Sequence, residues 1–112
     1  MKIILMIALL LVSSITNAGF FKGTDLKEHC FRDGYYHQGL CLGYIMGIYD
    51  GIILMESTWQ VDNRSICLPK KTKSEEFKNV VVKLLNDEEV ENIQHDASDI
   101  VWQALIIAYP CN

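Results

Sequence analysis

The chain has 112 residues, half of them hydrophobic, and a formal net charge of −4 at pH 7. A domain of this size buries only about 60–65% of its unfolded surface, so crosslinks would help to stabilise it. The acidic balance, with no basic cluster beyond KKTK at residues 70–73, argues against nucleic acid or an anionic membrane surface as a partner.

Residues 1–18 predict a secretory signal peptide. A positively charged start is followed by an apolar segment over residues 3–12, and Thr16 and Ala18 place small residues before a cleavage site. The apolar segment is too short to cross a bilayer. An uncleaved anchor is the alternative. We therefore expect an exported mature domain over residues 19–112, with no membrane span after cleavage.

Four cysteines follow the predicted signal peptide: Cys30, Cys41, Cys67 and Cys111. An even number of cysteines in an exported chain is typical of disulfides. A zinc site is the alternative, but the cysteines contain no closely spaced pair of the kind that zinc-binding knuckles use. We expect two disulfides, no metal and no cofactor.

The hydrophobic pattern predicts an all-α domain, a small bundle of four helices. The first helix covers residues 24–31, and a turn over residues 32–38 precedes a long second helix over about residues 38–57. The segment 58–70 is irregular, because Pro69 and neighbouring polar residues favour a loop.

The third helix is predicted over residues 71–87, where Thr72 and Glu75 fit a capping box. Its apolar stripe consists of Phe77, Val80, Val81, Leu84 and Leu85. A charged link over residues 86–94 leads to the fourth helix at residues 95–109. The core stripe of that helix consists of Ala97, Ile100, Val101, Ala104, Leu105 and Ala108.

The helix order favours one pairing of the cysteines. A short link favours antiparallel packing of the third and fourth helices. Cys67, just ahead of the third helix, then lies near Cys111, just past the fourth. Cys30 and Cys41 remain to pair across the turn between the first two helices. Three connectivities are open from the sequence, and this one is favoured.

The long helix carries glycine at every fourth position: Gly39, Gly43, Gly47 and Gly51. Each glycine inside a helix costs about 1 kcal/mol relative to alanine, so the pattern needs a reason. Glycines at this spacing also pack transmembrane helices, but Asp50 and Glu56 interrupt the apolar run. We therefore expect a groove that lets the fourth helix approach more closely than is usual.

Several segments in combination resemble the Rap/Tai family of type VI secretion immunity proteins. They are CLGYIMGIYD at residues 41–50, CLP at 67–69, VVVKLL at 80–85 and YPC at 109–111. The resemblance implies a small periplasmic protein that binds and blocks a peptidoglycan amidase effector, and family members tend to form homodimers. The segment 56–66 departs from the family pattern, so the identity of the effector stays open.

Catalysis is not predicted. The three histidines, at positions 29, 37 and 95, lie near predicted helix ends or turns, and disulfides account for the cysteines that could act as nucleophiles. No Ser-His-Asp order, phosphate-binding loop or closely spaced histidine pair occurs. We expect a binding protein, with a periplasmic acid-stress chaperone or another envelope-binding module as the alternative to an immunity protein.

Two loops are candidates for partner binding. The loop after the long helix supplies Trp59, Asp62 and Arg64, and tryptophan and arginine are enriched in binding hot spots. The charged link supplies an acidic tip that would attract a basic cleft; its residues are Asp87, Glu88, Glu89 and Glu91. The alternatives are an ordinary surface loop and a solvated helix junction.

The fourth helix has a second apolar line, formed by Trp102, Ile106 and Tyr109. A helix that is apolar on two sides is either central in its bundle or in contact with another chain. These residues are therefore candidates for a homodimer seam, with simple burial as the alternative. Asp50 either contacts a partner or, as we favour, makes a satisfied polar contact within the domain.

Overall fold

The structure is a computed structural model that describes residue 3 and residues 20–60, 63–87 and 95–112. Four helices follow one another along these residues: α1 (Gly23–Phe31), α2 (Tyr35–Thr58), α3 (Ser74–Asp87) and α4 (Ala97–Ala108). In the described part of the chain there is no strand. The predicted all-α fold with four helices is confirmed.

The core lies where the four helices meet. The stripes predicted on the last two helices supply most of it: Phe77, Val81 and Leu85 from α3, and Ala97, Ile100, Val101, Ala104 and Leu105 from α4. Leu26 of α1 and Ile45 of α2 are fully buried against them. The 3.6-residue period of these stripes therefore indicates correctly which sides of α3 and α4 face inward.

The long helix α2 begins three residues earlier than the pattern predicts. The reversal between α1 and α2 is concentrated at Gly34, whose φ of 107° is readily adopted only by glycine. Because one glycine completes the turn, Tyr35 starts the helix. The predicted turn over residues 32–38 is therefore too long.

Gln38 joins three helices. Its Nε2 donates to the carbonyls of Cys30 at 3.1 Å and Arg32 at 2.7 Å, at the end of α1. Its Oε1 accepts a hydrogen bond from Nζ of Lys78 on α3 at 2.5 Å. The Lys78 side chain is largely buried, so this contact replaces water that the ammonium group has lost.

Replacing Gln38 with alanine is expected to lower the free energy of unfolding by about 1–3 kcal/mol, because Lys78 and the end of α1 lose hydrogen-bond partners. Thermal unfolding followed by circular dichroism measures the loss. Gln103→Ala, at an exposed position of α4, is the matched control. Equal midpoints for the two variants would contradict the proposed role of Gln38.

The start of α3 differs from the predicted capping box. The Thr72 hydroxyl donates to the carbonyl of Pro69 at 2.8 Å, and the Thr72 N–H donates to the same oxygen at 3.1 Å. Thr72 therefore closes the turn that precedes the helix, and α3 begins at Ser74. Glu75 lies in the first turn, where its charge is favourable for the helix dipole.

A contact that no sequence pattern indicated ties the start of α1 to the start of α4. Lys22 forms a salt bridge with Asp96 at 2.8 Å. Backbone hydrogen bonds flank it: the Gly23 N–H donates to the carbonyl of His95 at 2.8 Å, and the Ala97 N–H donates to that of Phe21 at 2.9 Å. Residues 21–23 thus stay attached to the bundle.

Tyr44 packs at the same end of the molecule, where the start of α1 meets the start of α4. Its ring stacks on Phe21, with the ring centroids 5.2 Å apart. Burial raises the pKa of the Tyr44 phenol; the hydrogen bond with Ser98 opposes this rise, and the charges of Asp96 and Asp99 add to it. The folded state therefore favours the neutral phenol. This contribution to stability is fully present near neutral pH and is lost as the pH rises through the alkaline range in which Tyr44 ionises.

The two disulfides join Cys30 to Cys41 and Cys67 to Cys111, with Cα–Cα distances of 5.0 and 5.1 Å. This is the connectivity that antiparallel packing of α3 and α4 favours. The first disulfide is buried between α1 and α2. The second ties the α2–α3 loop, residues 59–73, to the chain end after α4.

Candidate functional site

Among the described residues, none packs against the open side of the four glycines of α2. A Cβ atom placed on Gly39, Gly43, Gly47 or Gly51 meets no atom within 4 Å, and all four residues are exposed. The expected close approach of α4 to a glycine groove is therefore wrong within one chain.

Helix geometry explains the correction. The side of α2 that faces the core is formed by Cys41, Ile45, Ile48 and Ile52. Residues two positions apart lie about 200° apart around a helix. Because Cys41 faces inward to reach Cys30, Gly39 and Gly43 on either side of it must face outward.

The outer face of α2, defined by Tyr36, Gly39, Gly43, Met46, Gly47, Asp50 and Leu54, is apolar for most of its length. Tyr36 is 70% exposed and Leu54 67% exposed. Asp50 is also exposed, and among the described residues its carboxylate forms no hydrogen bond or ion pair. The satisfied polar contact favoured for Asp50 is therefore not found in this part of the chain.

By length and composition alone, α2 is the one helix among the described residues that is apolar enough to cross a membrane. An 18-residue window of it has a mean hydropathy of 1.4, and 11% of that window is buried. This is weak evidence for a membrane span, because α2 also supplies Cys41 and Ile45 to the core. The described part of one chain therefore leaves a large apolar surface of α2 uncovered.

The α2–α3 loop presents two of its predicted binding residues to solvent. Trp59 is 76% exposed, and Arg64 is exposed as well. Gln60, just after the helix end, adopts a positive φ of 50°. Asp62, the third candidate, lies outside the described residues.

This loop is fastened to the bundle at residues 65–67. The Glu56 carboxylate on α2 accepts hydrogen bonds from the N–H of Ser65, at 3.1 Å, and from its hydroxyl. Ile66 is buried in the core, and the Cys67 N–H donates to the carbonyl of Tyr109 at 2.9 Å. Arg64 therefore lies next to anchored backbone, and Trp59 directly follows the end of α2.

Glu56 was not among the binding candidates that the sequence provided, although it interrupts the apolar run of the long helix. The available signal was weak: a single acidic residue near the end of an apolar helix. Its partner Ser65 lies nine residues away in an irregular segment, so no helical or strand spacing connects the two.

The acidic tip is described only at its start. Asp87 ends α3 and is exposed, whereas Glu88, Glu89 and Glu91 lie outside the described residues. Asp87 therefore occupies a position compatible with partner binding.

The second apolar line of α4 is only partly exposed. Trp102 is exposed, but Ile106 and Tyr109 are half-buried against the core, and the Tyr109 ring lies 6.3 Å from that of Phe77. Ile107, which was not predicted, is more exposed than any of the three. Much of this line is thus covered within the chain.

Two of the histidines meet between α1 and α2. The Nδ1 atoms of His29 and His37 are 2.8 Å apart, a distance at which one ring donates and the other accepts a hydrogen bond. In the part of the chain that the structure describes, no group of three potential metal ligands occurs. All four cysteines are in disulfides, so none is free to act as a nucleophile.

Comparison with known proteins identifies the family. The Rap1a immunity proteins match residues 22–111, a range that contains all four helices and both disulfides. No curated protein matches the chain. The resemblance to Rap/Tai immunity proteins is confirmed, and the chain belongs to the Rap1a immunity protein family.

Proposed function

We propose that the protein is a periplasmic immunity protein of a type VI secretion system that binds a peptidoglycan amidase effector and covers its active-site cleft. Membership of the Rap1a family supports binding of a protein effector. The predicted signal peptide over residues 1–18 and the mature domain over 19–112 support export. The two disulfides are typical of an oxidising compartment such as the periplasm.

Steric inhibition of this kind needs no cofactor and no reaction by the inhibitor. Binding energy alone keeps substrate out of the cleft. A rigid loop helps, because less conformational freedom is lost when it binds. The observation that carries the proposal is the anchored part of the α2–α3 loop, with Trp59 and Arg64 exposed near its contacts at Glu56 and Cys67.

The acidic tip that begins at Asp87 is the second candidate for the effector contact. Its charges would increase the rate of association with a basic cleft more than the lifetime of the complex. Salt dependence distinguishes the two loops. Raising the salt concentration should weaken effector binding strongly if the acidic tip is the main contact, and only weakly if Trp59 is the main contact.

We further propose that the outer face of α2 forms a homodimer seam. Large exposed apolar patches mark interaction sites, and a two-fold dimer would place the same face of two copies together. Glycines lacking Cβ atoms let two backbones approach closely. The α4 line of Trp102, Ile106 and Tyr109 is the alternative seam, although two of its three residues are already half-buried.

The direct test is co-purification of residues 19–112 with the amidase encoded next to its gene. Cells that express this amidase in the periplasm should survive when they also export the protein. Failure to bind any amidase encoded nearby, with the purified protein folded, would refute the proposed target.

Within this complex, Trp59→Ala is expected to weaken effector binding by about 30-fold, the size of a typical tryptophan hot spot. Isothermal titration calorimetry measures the change. Phe31→Ala removes another exposed aromatic ring, at the end of α1, and is the matched control. If both variants bind as tightly as the wild-type protein, the α2–α3 loop is not the main contact.

A further inference from the structure

The two oxygens of the Glu56 carboxylate have different surroundings. Oε1 accepts both hydrogen bonds from Ser65. Oε2 is buried and finds no hydrogen-bond donor among the residues that the structure describes. Leaving a buried charged acceptor unpaired is costly, so a donor from outside the chain gains a strong hydrogen bond if the carboxylate turns to meet it.

Glu56 lines a pocket of about 240 Å³ at the end of α2. The other lining residues are Ile53, Ser57, Gln60 and Arg64. Sites for drug-sized molecules usually occupy about 300–1,000 Å³. The pocket is therefore matched to a single side chain, with apolar surface from Ile53 for an aliphatic stem and the carboxylate for a polar end.

The charge distribution favours a cation. The last turn of α2 contains no basic residue, and the carbonyl end of a helix carries partial negative charge. The carboxylate of Glu56 adds to it. Among the described residues that line the pocket, Arg64 supplies the one positive charge, and it forms no ion pair with any of the described residues. Arg64 thus competes with an incoming cation for the Glu56 carboxylate.

We propose that a lysine or arginine side chain of the effector enters this pocket, that the Glu56 carboxylate turns toward it, and that the cationic group donates a hydrogen bond to Oε2. The identity of the partner rests on the proposed function. The preference of the pocket for such a side chain does not, since it follows from Glu56 and its surroundings. The two can therefore fail separately.

Small analogues test the pocket without the effector. N-acetyl-arginine amide and N-acetyl-lysine amide are titrated into residues 19–112 while NMR follows the Glu56 carboxyl carbon and the Ser57 and Gln60 amides. We expect saturable shifts confined to these signals, lost in Glu56→Gln. Arg64→Gln should bind the analogues more tightly, because it removes the internal competitor.

Two results of this titration would overturn the proposal. One is the absence of saturable shifts with both analogues. The other is a response to calcium ions alone, which would make the pocket a metal site. Glu56→Gln keeps an oxygen that can accept from Ser65, so circular dichroism should show an unchanged fold. If that variant does not fold, Ser57→Trp fills the pocket from an exposed position and should abolish the shifts.

Binding to the effector provides a second test of the pocket. Once wild-type binding is established, Glu56→Gln should reduce the affinity by about tenfold or more, as for other paired charges at interfaces. Glu75→Gln, which changes an exposed carboxylate on α3, is the matched control and should bind normally. Equal affinities for both variants would show that no effector cation reaches Glu56. Absence of wild-type binding would refute the proposed function and leave the analogue titration to decide on the pocket.

Discussion

Replacing both Cys67 and Cys111 with alanine is expected to lower the free energy of unfolding by about 4 kcal/mol. The disulfide spans 44 residues, and crosslinks that close long loops remove much conformational entropy from the unfolded chain. A domain of ordinary stability has only about 5–15 kcal/mol in total. Urea unfolding of the mature protein measures the loss, and a decrease below about 1 kcal/mol would contradict it.

The same change should also weaken effector binding, because the α2–α3 loop loses its attachment to the end of α4. The double variant Cys30→Ala/Cys41→Ala is the control. It removes a disulfide of separation 11 between α1 and α2, which is worth about 3 kcal/mol by the same reasoning, but leaves the loop attached. If both variants fold and lose the same effector affinity, the attachment of the loop to α4 is not what maintains effector binding.

Replacing Gly47 with leucine is expected to leave the single chain folded and to prevent dimerisation. The position is exposed and open, and leucine favours a helix over glycine by up to about 1 kcal/mol. Thermal stability of the monomer should therefore stay equal or rise. In the proposed seam, however, a leucine would hold two α2 helices apart, and sedimentation should report a monomer.

Asn79→Leu provides the matched control, since it adds the same side chain to an exposed position of α3 and should leave the dimer intact. Two results would count against the assignment. If Gly47→Leu unfolds, the glycines pack closely within one chain after all. A normal dimer would exclude the α2 face, and Trp102→Ala would then test the α4 line.

The inward-facing sides of α3 and α4 could be predicted, because their apolar residues lie on one side of each helix. On α3 and α4 polar residues occupy the other side, so the period itself identifies the inward-facing residues. On α2 apolar residues surround the axis, and periodicity could not show which side faces the core. The disulfide could have done so: once Cys41 is required to face Cys30, Gly39 and Gly43 must face outward.

The features of the candidate site that the sequence did not predict depend on the conformation of loops. Gly34 completes the turn before α2 by itself because it adopts a positive φ, and the sequence pattern does not show where that occurs. The contact between Glu56 and Ser65 joins a helix to an irregular segment. Trp59 and Arg64 were found by residue type alone, since exposed aromatic and guanidinium groups are common at interfaces.

In the proposed mechanism, the protein blocks an amidase by binding it. The most direct measurement is the rate at which the amidase from the neighbouring gene cleaves purified peptidoglycan, titrated with residues 19–112. We predict that the rate falls in proportion to the added protein and reaches zero at equimolar concentration. Undiminished cleavage in the presence of excess folded protein would contradict the account.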